Sequence, residues 1–288
     1  MASIYKSAEG RERIRKWCTQ RIDAWGVGHV RSDIMTSAGR TSVLTAGPAP
    51  ARGTPSVVLI PGTNMNAAVC LSMAAALSAD RHTVVLDVPG QPGLSEERRP
   101  RRDRMAWYGN WLSEVLEAAV PGPAVVIGHS LGGAIALASD SPRIVGRVLV
   151  SSAGVTRVRV SRSVLAATVP WLVRPSVPRA TGLLRCMMAP DRPVGEDLAA
   201  WMALVGTSCR SSLAPPPLPA ALLKERRATP CMVMTGRHDV FLPPSALGPA
   251  AAQRLGVELR VVEEAGHLLL DEAPHTAAEL IRDFCATR

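Results

Sequence analysis

Short runs of β-branched apolar residues alternate along this chain with longer stretches in which apolar positions recur every three to four residues, the two patterns of buried strands and amphipathic helices. The runs beginning at Ser56, Thr83, Ala124 and Val148 are apolar at nearly every position, as strands covered on both faces require. Helical patterns lie between them at 67–79, at about 105–119 and from Leu131 onward. This order predicts an α/β fold: a mostly parallel eight-stranded sheet flanked by helices. His29–Thr36 and Thr41–Ala46 bracket Ser37-Ala38-Gly39-Arg40 and read as an antiparallel hairpin at the sheet edge, followed by a Pro/Gly-rich connector to Pro55. Ahead of them Ile14, Trp17, Cys18, Ile22 and Trp25 recur at helical spacing, which predicts an amphipathic helix over residues 9–26 packed on the body.

The alternation breaks between Ala153 and Thr229. Helix-like stretches at Ser163–Val173, Arg179–Met188 and Glu196–Val205 are separated there by prolines. Residues 1–152 and 230–288 are therefore expected to form one core, and 153–229 an inserted helical cap at the C-terminal edge of the sheet. Trp171, Met187, Met188, Trp201 and Met202 either line an apolar pocket under that cap or pack the cap's own interior.

Chemistry enters where the pattern is punctuated. Val125-Val126-Ile127-Gly128-His129-Ser130-Leu131-Gly132-Gly133-Ala134 is a buried strand that stops at a glycine, presents one serine and resumes as a small-residue helix. A serine on so sharp a strand-to-helix turn has strained dihedrals, and Gly128 and Gly132 clear the space it needs. Ser130 is the candidate nucleophile, and the backbone N–H of Leu131, at the positive end of the next helix, is a candidate oxyanion donor. An orienting acid and a base should follow in that order. Pro230-Cys231-Met232-Val233-Met234-Thr235-Gly236-Arg237-His238-Asp239 reads as a buried strand ending in a glycine turn, which delivers Asp239 in the loop after it. Val257–Val262 reads as another that delivers His267, ahead of a helix starting near Asp271. The preceding strand ends in Ser151-Ser152-Ala153, so no carboxylate competes with Asp239 there. A second oxyanion donor is expected after the first parallel strand, in Pro61-Gly62-Thr63-Asn64. Thr63 is the leading choice by its backbone N–H and Asn64 the alternative, with Asn66 capping the next helix.

With Gly128–Gly133, Asp87-Val88-Pro89-Gly90-Gln91-Pro92-Gly93-Leu94-Ser95 and Gly266-His267 in place, the chain resembles α/β-hydrolase-fold serine hydrolases of the bacterial carboxylesterase type over nearly its whole length. It departs at Pro61, where many relatives carry histidine. The resemblance implies a structural role for Asp87 and an expected activity of cleaving a carboxylic ester through an acyl-enzyme on Ser130. A thioesterase, or a lactone-forming, cyclising or acyl-transfer enzyme, would use the same three residues, and a non-catalytic ligand-binding protein would keep the fold without them.

Composition narrows this further. The 288 residues are 47% hydrophobic but only 3% aromatic, so Ala, Val and Leu must fill the core. No long uncharged apolar run suggests a membrane span, and the charged stretch Arg11–Lys16 does not suit a secretory leader. The six cysteines show no metal or redox spacing and point to a reducing compartment, so a cytoplasmic location is expected. Neither the histidines nor the carboxylates cluster as metal ligands, and no cofactor is expected. Net charge is +9, and residues 153–229 hold eleven basic side chains against four acidic ones, most of that excess. The expected partner is a small acyl substrate, with an anionic or carrier-bound one suited to that charge. Basic residues without interleaved aromatics exclude nucleic acid, and no membrane partner is expected.

Overall fold

A computed structural model describes residues 2–210 and 214–287, so positions 211–213 of the expected cap lie outside the described residues. In chain order the elements are β1 (Ala2–Ser3), α1 (Ala8–Asp23), β2 (His29–Thr36), β3 (Gly39–Ala46), β4 (Ser56–Ile60), α2 (Leu71–Ser78), β5 (Thr83–Leu86), β6 (Arg98–Arg99), α3 (Arg104–Ala119), β7 (Ala124–His129), α4 (Leu131–Ala138) and β8 (Ile144–Val150). A helical insertion follows: α5 (Arg162–Val173), α6 (Val177–Arg185), α7 (Glu196–Ser208) and α8 (Ala220–Glu225), closed by a 3-10 turn at Arg226–Ala228. The chain then returns through β9 (Cys231–Gly236), α9 (Pro244–Leu255), β10 (Leu259–Val262), α10 (Leu269–Glu272) and α11 (Pro274–Ala286).

Eight strands form one sheet in the order β10-β9-β8-β7-β4-β5-β3-β2, parallel from β10 to β5 and antiparallel across β5, β3 and β2. The chain winds outward in both directions from β4, so the strand order reverses there. A crevice at the C-terminal strand ends is the expected result.

Alternation along each strand divides the interior in two. Val57, Leu59, Val125, Ile127, Val148 and Val150 point to the face covered by α1, α2, α10 and α11. Val58, Ile60, Val126 and Leu149 point to the face covered by α3, α4 and α9. Most of the insertion packs into the first of these, where Trp171, Leu183, Leu184 and Trp201 join the cluster that holds Ile14, Cys18 and Ile22 of α1, while Leu223 of α8 joins the second.

Local features differ from the sequence reading, among them the start of β8 at Ile144 rather than at Val148. The helix expected from Ala67 begins at Leu71, because the Ala67 amide donates to Asp87 Oδ1 (2.7 Å) and the Val69 amide to Asn66 Oδ1 (3.1 Å), which holds an irregular turn ahead of it. The first residues, moreover, pair where no pairing was expected: β1 adds antiparallel to β6, Tyr5 bridges Cys209, and the Lys6 ammonium donates to the Gly206 carbonyl (2.6 Å). No helix among the described residues is long and apolar enough to cross a membrane.

Candidate active site

Ser130 is the single residue between β7 and α4, and it takes φ 50°, ψ −110°, a conformation rarely open to a side-chain-bearing residue. Such strain costs about 1–3 kcal/mol and persists only where the surroundings over-determine it. Here they do. The Ser130 amide donates to the Val150 carbonyl (3.0 Å), and its own carbonyl accepts from Gly133 (3.1 Å) and Ala153 (3.0 Å). The flanking glycines are sterically required: a Cβ on Gly132 would lie 2.1 Å from the Ile60 carbonyl oxygen, and one on Gly128 would lie 2.3 Å from that of Gly132. The elbow is thus wedged between β4 and its own helix. At the far end of α4 the buried Arg147 guanidinium donates to the Ala136 and Ser139 carbonyls, both at 2.9 Å, placing a cation where the helix dipole is negative. Burial lowers Arg147 to about 10, which leaves it charged at neutral pH.

The loops after β9 and β10 bring two distant residues to this serine. His267 Nε2 lies 3.2 Å from Ser130 Oγ, and His267 Nδ1 lies 3.0 and 3.1 Å from the two Asp239 oxygens. A carboxylate only accepts, so the neutral ring carries its proton on Nδ1 and turns the Nε2 lone pair to the serine hydroxyl. Asp239 is itself fixed by the Phe241 and Leu242 amides (both 2.9 Å to Oδ1) and the Thr235 hydroxyl (3.0 Å to Oδ2). Burial alone would raise its pKa. The adjacent His267 ring, its hydrogen bond and the Leu242 amide outweigh that and hold the carboxyl well below the usual range. The edge of Phe241 packs on the His267 ring at 4.8 Å between centroids. His129 donates from Nε2 to the His267 carbonyl (2.8 Å), and burial together with the neighbouring His267 lowers it to about 4, so it stays neutral.

The remaining candidates fall into separate groups. Among the described residues neither the Thr63 nor the Leu131 amide donates to a protein acceptor. Gly62, ahead of Thr63, is close-packed on the elbow: a Cβ there would sit 2.9 Å from His129 Nδ1 and 3.2 Å from Ser130 Cβ. The Asn64 amide is engaged by Gln91 Oε1 (3.0 Å), which removes its backbone as an alternative oxyanion donor. The Asn64 carbonyl accepts from Trp201 Nε1 (2.8 Å). Trp201 is fully buried against Trp17, and Trp171 is buried with its indole N–H on the Met202 carbonyl (2.9 Å). Trp201 therefore packs the insertion onto α1 and the loop after β4, while Trp171 ties α5 to α7 within the insertion. The Met187 carbonyl accepts the His267 amide (2.7 Å), and Met188 lines a cleft of about 380 Å³ with Trp17, Arg21, Asp197 and Asp271.

Four residues near the site were not singled out from the sequence. Thr235 and Phe241 hold Asp239 and His267, and Gln91 ties the loop after β5 to the loop after β4. The buried Glu272 accepts from Gly266 (3.0 Å) and Ala189 (2.6 Å), joining the His267 turn to the insertion. Only Gln91 left a trace, as the one amide side chain inside Asp87–Ser95.

A family model described as the alpha/beta hydrolase family matches residues 57–280. Among solved structures, naproxen esterase from Bacillus subtilis superimposes with a TM-score of 0.81 at 20% identity, over 97% of this chain and 99% of that one. A second Bacillus subtilis carboxylesterase gives 0.79 at 18% identity, over 98% and 100% of the two chains. An uncharacterized protein of Mycobacterium tuberculosis is 26% identical over 268 residues, covering 81% of this chain and 76% of that protein.

Proposed function

Because the chain belongs to the alpha/beta hydrolase family, we propose that it is a serine hydrolase that cleaves a carboxylic ester through an acyl-enzyme on Ser130. The observation that carries this reading is the continuous relay from Asp239 through His267 Nδ1 and Nε2 to Ser130 Oγ, with spacings of 3.0 and 3.2 Å. In the proposed reaction Ser130 Oγ attacks the acyl carbon as His267 takes its proton. The imidazolium, stabilised by Asp239, returns that proton to the departing alcohol. Water then repeats the sequence on the acyl-enzyme and restores the serine. The Leu131 and Thr63 amides are the proposed donors to the oxyanion that forms in each half, aided by the positive end of α4. The helical insertion is proposed as a cap, since Met187 and Glu272 join it to the His267 turn.

The test is covalent. A fluorophosphonate probe should label the protein, and Ser130→Ala should take no label and turn over no p-nitrophenyl ester. Labelling that survives in Ser130→Ala would remove that serine from its role.

A further inference from the structure

Among the described residues, most of the large apolar side chains left in water lie in one segment of the insertion. Val160, Leu165, Val169, Leu172, Val173 and Val177 are exposed, Val173 at 71% and Val169 at 55%. Along α5, Leu165, Val169, Leu172 and Val173 fall at i, i+4, i+7 and i+8, one stripe of a helix whose opposite side buries Val164 and Trp171. The helix is therefore apolar on both sides, and only one of them is covered. A stripe this continuous on a monomer marks an interaction surface rather than scattered exposed residues.

The charge along this segment is of one sign. Between Asp140 and Asp191 the chain carries no acidic residue. Arg157, Arg159, Arg162 and Arg174, within or near α5 in sequence, are exposed and Arg179 is half-buried, and none of the five joins an ion pair among the described residues. A second copy of this face would bring arginines against arginines. An apolar stripe in a segment whose cations form no ion pair matches instead an anionic lipid surface, where side chains enter the acyl boundary while arginines meet headgroup phosphates.

We propose that the face formed by residues 157–177 docks this protein reversibly on anionic phospholipid membranes. The placement is suited to the site already described. Upstream, the Arg159 amide is held by the Phe241 carbonyl (2.8 Å), and Phe241 packs on His267; downstream, α6 leads to Met187, whose carbonyl holds the His267 amide. The segment is thus anchored at both ends beside His267. The proposal goes against the expectation of no membrane partner, which was weighed on spanning segments and on the N-terminal helix; a docking face depends instead on which side of a short helix is left uncovered.

The test is flotation with vesicles and needs no turnover. The protein should partition onto vesicles of equal parts phosphatidylglycerol and phosphatidylcholine at least tenfold more strongly than onto phosphatidylcholine alone, and be released at about 0.5 M NaCl. Arg162→Glu should weaken that partition at least fivefold, since each cation near a charged surface is worth about fivefold in binding. The triple variant Leu165→Glu, Val169→Glu, Val173→Glu should abolish it while circular dichroism stays native. Val173→Glu alone keeps the experiment readable if the triple variant unfolds, and is expected to weaken partition several-fold. No flotation with phosphatidylglycerol, equal affinity for both vesicles, or binding that Val173→Glu and Arg162→Glu both leave intact would overturn the proposal. So would a dimer in sedimentation that the apolar substitutions dissociate, which would make a second copy the occupant.

Discussion

At the scale of single residues, the candidate site depends on hydrogen bonds that leave each group one usable role. Asp239 receives two backbone amides, a hydroxyl and an imidazole N–H, and so fixes which nitrogen of His267 is free to accept. Asp239→Asn would present an N–H to that imidazole and favour the wrong tautomer. Turnover of an activated ester is expected to fall about 10⁴-fold with little change in melting temperature, and a loss under tenfold would remove Asp239 from the relay. His129 makes a separate prediction through linkage. Its pKa is about 4 in the fold against about 6.5 in an unfolded chain, so the unfolded state binds more protons between those values. Its contribution is complete above about pH 6.5 and lost as pH falls toward 4, by about 3 kcal/mol in all. His129→Gln cannot titrate, so urea denaturation across that window should show a flatter slope than wild type; parallel slopes would contradict this. Ser130, Asp239 and His267 were legible in the sequence because each follows an apolar run that ends at a turn, in the order Ser, Asp, His. Thr235 and Glu272 were not, since nothing in the spacing of a lone polar residue tells which backbone amide or carboxylate will lie beside it after folding.

Among the elements, α4 is the short helix whose two ends matter most. Its N-terminal end faces the strained serine, and its C-terminal carbonyls are held by Arg147, a residue of β8. Arg147→Met would leave two buried carbonyls without their charged donor and is expected to cost about 2–3 kcal/mol in denaturant melts. A neutral result would mean the desolvation of that guanidinium cancels its bonds. The central strands β4, β5 and β7 were legible almost to the residue from their apolar runs, whereas β8 begins at Ile144, four residues ahead of the run read from Val148, because Gly146 and Arg147 interrupt its apolar pattern. Helix starts were less so: α2 begins four residues later than its apolar pattern, since Asp87 and Asn66 hold the preceding turn. The β1–β6 pairing had no signal at all, two residues being too short for a period to show.

For the molecule as a whole, the insertion and the sheet share a core, with Trp201 at the junction. It is fully buried, packs at a tilt on Trp17 of α1 and donates to the Asn64 carbonyl in the loop after β4. Trp201→Ala should cost about 3–5 kcal/mol and leave unfolding a single transition. Two separate transitions in calorimetry, in either protein, would show that the insertion folds independently of the sheet. The parallel architecture was readable from element order alone, whereas the joining of α1 to α7 is a contact across nearly two hundred positions that no local pattern encodes. The docking of the first residues carries a consequence for biosynthesis. Lys6 and its carbonyl acceptor are 200 positions apart, so at ~5–20 residues per second the leading segment waits about 10–40 s on the ribosome before its partners have been made. Throughout that interval Ile14, Cys18 and Ile22 have no complete seat, and the nascent chain offers a greasy helix to whatever chaperone stands at the exit tunnel.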